Sequence, residues 1–299
     1  MEFDDIPKPD FEYDEFDDVP SYPKCHCQLN LAEIIKKFGF ELLNEIPLRT
    51  SENSCVCSSI PTYFNKLYME EKYALKISAN KTRLFKEFEN YQKLPNSKNL
   101  VKSYDIFELD DYLILQMDLC NGGDIYGQKL EENTIWKLIH DISNALHILH
   151  SEDLIHLDVS PTNILRNDSN FKLADFGNVT EVGSFKYGDE GSGPYVAPEI
   201  LNFSGSKENG FYEVWTAADI FSFGVVLIES CTGILAPRGG SSLYSELRTG
   251  NLKLGEGKYK CSCSNELIKF VNEMINPDPM MRPTAAKIMK HQIVSQFDY

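Results

Sequence analysis

An aspartate and an asparagine five residues apart, in His156-Leu157-Asp158-Val159-Ser160-Pro161-Thr162-Asn163, could take the proton from an attacking hydroxyl and hold a magnesium ion. A second carboxylate follows in Asp175-Phe176-Gly177, suited to joining a metal to phosphate oxygens. Upstream, Lys76 in Tyr73-Ala74-Leu75-Lys76 is an amine that could bind the α- and β-phosphates of a nucleotide, provided a glutamate steadies it. Glu87 in Lys86-Glu87-Phe88 is the candidate partner. Glu89 is two residues on and faces about 200° away on a helix. Each signal is weak alone, but together they describe phosphoryl transfer from a nucleotide to a hydroxyl. Further along, Ala197-Pro198-Glu199 closes a segment that starts at Asp175, and Arg282 is a candidate buried ion-pair partner for Glu199. Asp219, at the start of an apolar run, is expected to hydrogen-bond the backbone around Asp158.

These side chains need elements to carry them. Tyr73 to Ile77 alternates as a half-buried strand does, and Lys81 to Leu94 reads as an amphipathic helix closed by Pro95. Leu100 to Leu109 and Tyr112 to Leu119 read as strands joined by a turn at Asp110-Asp111. Leu31 to Leu43 is expected to lead into the folded part, with a strand starting at Phe40. Ile135, Leu138, Ile139, Ile142, Leu146 and Leu149 then hold one helical face, and Trp215 to Thr232 is an almost wholly apolar helix. Strands first and helices after predict an α+β fold with two lobes, divided near Leu119-Cys120-Asn121-Gly122-Gly123, where glycines would supply a flexible connection.

From about residue 40 to 295 the chain resembles the eukaryotic protein-kinase family, and within it the Wee/Swe/Myt group of mitosis-inhibiting kinases. The likeness rests on His156-Leu157-Asp158-Val159-x-Pro161-x-Asn163 and on Cys120-Asn121-Gly122-Gly123. Thr216-Ala217-Ala218-Asp219-Ile220-Phe221-Ser222, Pro237-x-Gly239-Gly240 and Asn276-Pro277-Asp278-Pro279 complete it. The resemblance implies a bilobal protein-kinase fold, with a small β-rich N-lobe over about 38–119 and a larger helical C-lobe over about 120–295. It implies ATP and Mg2+ as cofactors, Lys76 and Glu87 as the ion pair, Asp158 as catalytic base, and Asn163 and Asp175 as metal ligands. Met117 would guard the back of the adenine pocket, backbone groups of Asp118 and Cys120 would read the adenine edge, and Val56 is carried over to the nucleotide site. Members of the group phosphorylate a tyrosine, and in some cases the neighbouring threonine, in the phosphate loop of a cyclin-dependent kinase. A cyclin-dependent kinase is therefore the expected partner, and restraint of mitotic entry the expected role. Two alternatives stay open: a pseudokinase scaffold, and an active serine/threonine kinase with another substrate.

The chain departs from the family pattern in three places. Counting back from Val56, the glycines of a G-x-G-x-x-G-x-V phosphate loop fall on Arg49, Ser51 and Ser54, and no glycine occurs between Gly39 and Gly122. Side chains there cost close approach of backbone amides, so weaker nucleotide binding is expected. Ser160 stands where a lysine usually neutralises the γ-phosphoryl group, a contact worth on the order of 3–4 kcal/mol. Another cation could substitute, though the sequence does not say which. Leu157 replaces the arginine that grips a phosphate on the activation segment, which predicts a segment ordered without phosphorylation. Ser192 sits where Wee-type kinases carry an acid and other serine/threonine kinases a threonine.

Composition narrows the partners. The chain has 299 residues, 42% of them hydrophobic, and a net charge of −16. That charge repels phosphate backbones and acidic lipids, so neither nucleic acid nor membrane is an expected partner. Residues 1–37 form an acidic extension, and its proline-punctuated first two dozen residues cannot bury enough surface to order. There, Phe11, Tyr13 and Phe16 alternate with acids in a pattern that could dock on a basic groove. No signal peptide is expected, and Ile220 to Leu235, interrupted by Glu229, reads as too short and polar to span a bilayer. The pairs Cys25/Cys27, Cys55/Cys57 and Cys261/Cys263 have the wrong spacing for a zinc ribbon and read as reduced thiols. A soluble, intracellular monomer is expected, and the resemblance points to the nucleus over the cytoplasm.

Overall fold

The computed structural model describes residues 31–37, 39–44, 47–50, 54–61, 71–184, 191–201 and 212–297. The aromatic–acidic pattern at Phe11, Tyr13 and Phe16, the Cys25/Cys27 pair and Ser51 lie outside the described residues. The first lobe comprises α1 (Leu31–Lys37), β1 (Phe40–Leu42), β2 (Arg49–Thr50), β3 (Ser54–Pro61), β4 (Tyr73–Ser78), α2 (Lys81–Lys93), β5 (Ser103–Leu109) and β6 (Tyr112–Asp118). Among the described residues its strands form one antiparallel sheet in the order β1-β3-β4-β6-β5, with β2 paired to β3.

The two-residue period of β4 sets the site. Leu75 and Ile77 turn to one face, where they pack with Cys55, Cys57, Ile114, Phe40 and Ile35. Ala74 and Lys76 turn to the other face, opposite Met117 and Leu115 of β6, towards the cleft. Ile35 of α1 is fully buried in that first cluster, so the helix that a domain boundary at 37 leaves in the extension is packed on the small lobe. α2 begins where the Asn80 side chain accepts from the Arg83 amide, and it ends as Leu94 turns extended before Pro95.

The second lobe carries α3 (Glu132–Ser151), β7 (Leu154–Ile155), β8 (Ile164–Asn167), β9 (Asn170–Leu173), β10 (Thr180–Glu181), α4 (Pro198–Leu201), α5 (Tyr212–Thr232), α6 (Ser242–Thr249), α7 (Asn265–Met274) and α8 (Ala285–Met289). All six apolar residues expected on one face of α3 are buried. Trp215–Thr232 of α5 has a mean hydropathy of 1.2 and is long and apolar enough to cross a membrane by length and composition, contrary to the sequence expectation. Its window is 94% buried inside the fold, which accounts for that apolarity as a core helix.

The connection between lobes also differs from expectation. Gly122 donates to the Arg166 carbonyl at 2.9 Å, and Arg166 donates back to the Gly123 carbonyl at 2.8 Å. A Cβ on Gly122 would lie 2.8 Å from the Arg166 Cβ. The glycine therefore permits close backbone approach and pins the connection to β8 instead of loosening it.

Candidate active site

Three of the sequence-selected side chains meet at the cleft end of β4. Lys76 Nζ donates to both carboxylate oxygens of Glu87, at 2.7 and 2.9 Å, and to Asp175 Oδ1 at 3.2 Å. Glu87 is buried on α2, while Glu89 is not part of the cluster. Burial alone would lower the Lys76 ammonium, but Asp175 and Glu87 together hold it above its ordinary value. Burial lifts the Glu87 carboxyl to about 7 against the pull of Lys76. Burial would raise Asp175 too, yet Lys76, and after it Arg49, hold that carboxyl down to about 2. The result is an ionised Asp175 beside a charged lysine.

Asp175 reaches this position with a φ of 65°, in the left-handed region. The neighbouring Phe176 ring is fully buried, edge-on to Tyr91 of α2 at 4.6 Å and to His156 at 5.5 Å. Asn90 of α2 donates to the carbonyls of Phe176 and Val179 at 2.9 and 3.1 Å. The helix that carries Glu87 and the turn that carries Asp175 are thus bonded to each other as well as to Lys76. No sequence signal singled out Asn90.

Asp219 holds the loop around Asp158 from below, as expected. Its carboxylate accepts from the His156 and Leu157 amides and from His150 Nε2, each at 2.9 Å. Burial would raise this carboxyl, but His150, His156 and the backbone donor bring it below its ordinary value. Leu157 has a φ of 62°, a costly conformation for a branched side chain, and two amides on one carboxylate hold it there. His156 Nδ1 accepts from the Asp158 amide at 3.2 Å, so its proton sits on Nε2, which donates to the Ala174 carbonyl at 3.2 Å.

Asp158 and Asn163 are joined directly. Asn163 Nδ2 donates to Asp158 Oδ2 at 3.0 Å and to the Asp158 carbonyl at 2.9 Å, which leaves the amide oxygen of Asn163 turned to the cleft. Asp158 Oδ1 accepts from the Ser192 amide at 2.8 Å. That close approach needs Gly191, where a Cβ would lie 2.5 Å from Asp158 Oδ1. Residues 185–190, in the middle of the segment expected to order without phosphorylation, lie outside the described residues.

The cleft measures about 870 Å3, within the range of small-molecule sites, and Val56, Met117, Asp118 and Cys120 all line it. Met117 is buried, its sulfur 3.8 Å from the Tyr91 hydroxyl. The Asp118 side chain points away from an adenine-reading role, accepting from Lys172 at 2.6 Å and Tyr104 at 2.7 Å. Burial raises the Cys120 thiol to about 11. Val56 lies opposite Lys76 in the β3–β4 ladder. Arg49 is opposite Val56 on β2, and its guanidinium crosses the cleft to Asn163 Oδ1 at 2.9 Å and the Thr162 carbonyl at 3.4 Å. The sequence marked position 49 as a missing glycine, with nothing to indicate this reach.

The closing end of the segment is anchored by residues of the large lobe. Arg282 forms a two-pronged pair with Glu199, at 2.6 and 2.9 Å, as expected from the sequence. Arg248, unremarked in the sequence, donates to the carbonyls of Val196 at 2.7 Å and Pro194 at 3.0 Å. Tyr195 donates at 2.8 Å to Glu229 Oε1, which also accepts from the Ala236 amide. Among the described residues Glu229 Oε2 is buried with no hydrogen-bond partner. Burial raises this carboxyl above its ordinary value, against the Ala236 and Tyr195 donors. The folded state then binds its proton more tightly than the unfolded chain. Stability is full below the unfolded value of about 4.3 and declines as pH rises through the folded value. Urea unfolding should therefore show Glu229→Gln gaining on wild type as pH rises from about 4 to about 8. A constant difference across that range would mean that burial does not raise the Glu229 carboxyl above its unfolded value.

A two-lobed fold with this cluster in its cleft defines a class, and comparison with known proteins agrees. A family model described as the protein kinase domain matches residues 65–294, and the chain belongs to that family of ATP-dependent phosphoryl-transfer enzymes. The match begins beyond β3, the strand before which the glycine loop is missing. Within the family the chain is Wee-like. It is 34% identical over 232 residues to the membrane-associated tyrosine- and threonine-specific cdc2-inhibitory kinase wee-1.3 of Caenorhabditis briggsae, covering 73% of this chain and 33% of that protein. It is 33% identical over 234 residues to the Drosophila melanogaster kinase of the same description, covering 73% and 42%. With the mitosis inhibitor protein kinase mik1 of Schizosaccharomyces pombe the figures are 30% over 243 residues, covering 74% and 40%. The chain thus spans about a third to two-fifths of the length of these relatives.

Proposed function

We propose that this protein transfers the γ-phosphoryl group of ATP to a hydroxyl in the glycine loop of a cyclin-dependent kinase, on tyrosine or the adjacent threonine, and so restrains entry into mitosis. The observation that carries the catalytic part is Lys76 bonded to both Glu87 and Asp175 in the same cleft as the linked Asp158–Asn163 pair. Both the lysine–glutamate pair and the metal-binding aspartate must be in place for a protein kinase to turn over. The substrate is taken from the relatives, whose descriptions call them cdc2-inhibitory or mitosis-inhibitor kinases. On this reading the catalytic unit takes in α1 and so begins before residue 38.

The chemistry follows from the side chains. Lys76 steadies the α- and β-phosphates, Val56 and Met117 enclose the adenine, and backbone groups of Asp118 and Cys120 read its edge. Asp158 accepts the proton of the substrate hydroxyl as its oxygen bonds to the γ-phosphorus. The bond from that phosphorus to the bridging oxygen breaks, and ADP leaves with the electron pair. Mg2+ would be held by Asp175 and Asn163, and when bound it neutralises charge on the phosphates. The donor set fits: an ionised carboxylate, and an amide oxygen turned to the cleft and already accepting from a cation. Few protein oxygens are needed, because magnesium takes the rest from phosphate and water.

A second reading, a nucleotide-binding scaffold without turnover, is favoured by the Arg49 guanidinium lying on Asn163 Oδ1, where a metal is expected. One experiment separates the two. Purified protein is incubated with a cyclin-dependent kinase complex, ATP and Mg2+, and phosphosites are mapped by mass spectrometry. Phosphotyrosine or phosphothreonine in the substrate's glycine loop is expected. Phosphate only elsewhere would remove the assigned substrate. No phosphate, alongside a melting temperature that rises with Mg-ATP, would select the scaffold.

A further inference from the structure

By its sequence the phosphate end of the cleft lacks the lysine and the glycines of the family pattern, and among the described residues it carries an arginine, Arg49, that the pattern does not explain. Ser160 is buried, with its hydroxyl 3.1 Å from the Thr162 hydroxyl, so the position that usually supplies a lysine holds no charge. The β2–β3 hairpin has no glycine to let its amides approach an anion. Lys76 is already shared between two carboxylates. Among the described residues two further cations line this end: Arg83, which donates to Asn178 Oδ1 at 3.2 Å on the Glu87 side, and Arg49, which faces Asn163. Arg49 hangs from β2 over the cleft and is held by two neutral oxygens, Asn163 Oδ1 and the Thr162 carbonyl. Its hydrogen-bond partners are neutral, so it is tied to no carboxylate by a direct contact and acts on Asp175 only through space. The guanidinium fork also matches the oxygens of a phosphate better than a single ammonium does.

We propose that Arg49 is the phosphate clamp of this enzyme. Resting on Asn163 in the free protein, its guanidinium moves onto the terminal phosphate oxygens of bound ATP. It there replaces both the lysine missing at Ser160 and the backbone contacts missing from the hairpin. The reach is available without rearranging the lobes, because the side chain already spans from the roof of the cleft to its floor. Moving onto the phosphate frees Asn163 Oδ1 for the metal, so nucleotide and Mg2+ bind together better than either binds alone.

This inference rests on the kinase reading, and its test keeps the two apart. Calorimetric titration of wild type, Arg49→Gln and Arg49→Lys uses Mg-ATP and, separately, adenosine, which has the same base and no phosphate. Arg49→Gln should weaken Mg-ATP binding about tenfold and leave adenosine within about twofold, while Arg49→Lys stays within about threefold of wild type for both. Equal Mg-ATP affinity in wild type and Arg49→Gln would overturn the clamp, as would a matching loss of adenosine, which would mark a merely structural hairpin residue. Binding of neither ligand by wild type would overturn the kinase reading and the clamp with it.

Discussion

Asp158→Asn should lower turnover by about 10²–10⁴-fold while Mg-ATP binding stays within about threefold of wild type. Both carboxylate oxygens of Asp158 accept hydrogen bonds, from the Ser192 amide at 2.8 Å and from Asn163 Nδ2 at 3.0 Å. Asparagine keeps one acceptor and puts an NH2 opposite a donor at the other oxygen, so it loses the base and strains one contact. Asp158 does not touch Lys76, Glu87 or Asp175, so those groups, which meet the nucleotide first, keep their geometry. The measurement is single-turnover phosphorylation of the substrate beside a calorimetric Mg-ATP titration. Turnover within tenfold of wild type would remove Asp158 as the base. Loss of turnover together with loss of binding would mean that the substitution had collapsed the cleft.

The parts of this site that were legible in the sequence are those set by short-range spacing. Asp158 and Asn163 are five residues apart on one loop, so their meeting needs only that loop's local shape. Lys76 and Glu87 are separated by one strand and one helix, and the period of each element aims its side chain at the other. Asp219 was legible because a carboxylate within an apolar run must find donors, and the loop above it supplies two. The groups that escaped notice act across distances which no period encodes. Arg49 meets Asn163 across 114 residues because β2 roofs a cleft whose floor is in the other lobe. Arg248 sits on a polar-looking helix, and its carbonyl partners at Pro194 and Val196 leave no trace in a side-chain pattern. The hinge glycines were misread for a related reason. Composition shows that glycine permits unusual backbone, while the Gly122–Arg166 bonds show which use of it applies.

Arg282→Ala should cost about 3–5 kcal/mol of stability, a drop of roughly 10 °C in melting temperature for a domain of this size. Its guanidinium is fully buried and makes five hydrogen bonds, to both Glu199 oxygens and to the carbonyls of Ala217, Asn276 and Pro277. It also lies over the Phe221 ring at 4.9 Å. Alanine would leave the Glu199 carboxylate, 13% exposed, without its cation and strand three carbonyls in a space too tight for easy rehydration. The penalty belongs mostly to the partners left behind. Removing both charges together, as in Glu199→Gln/Arg282→Met, should therefore cost clearly less than the sum of the two single changes. Urea unfolding of all four proteins measures that coupling. Additive losses would show that the pair does not act as a unit, and that Glu199 is held in the closing turn by its own backbone instead.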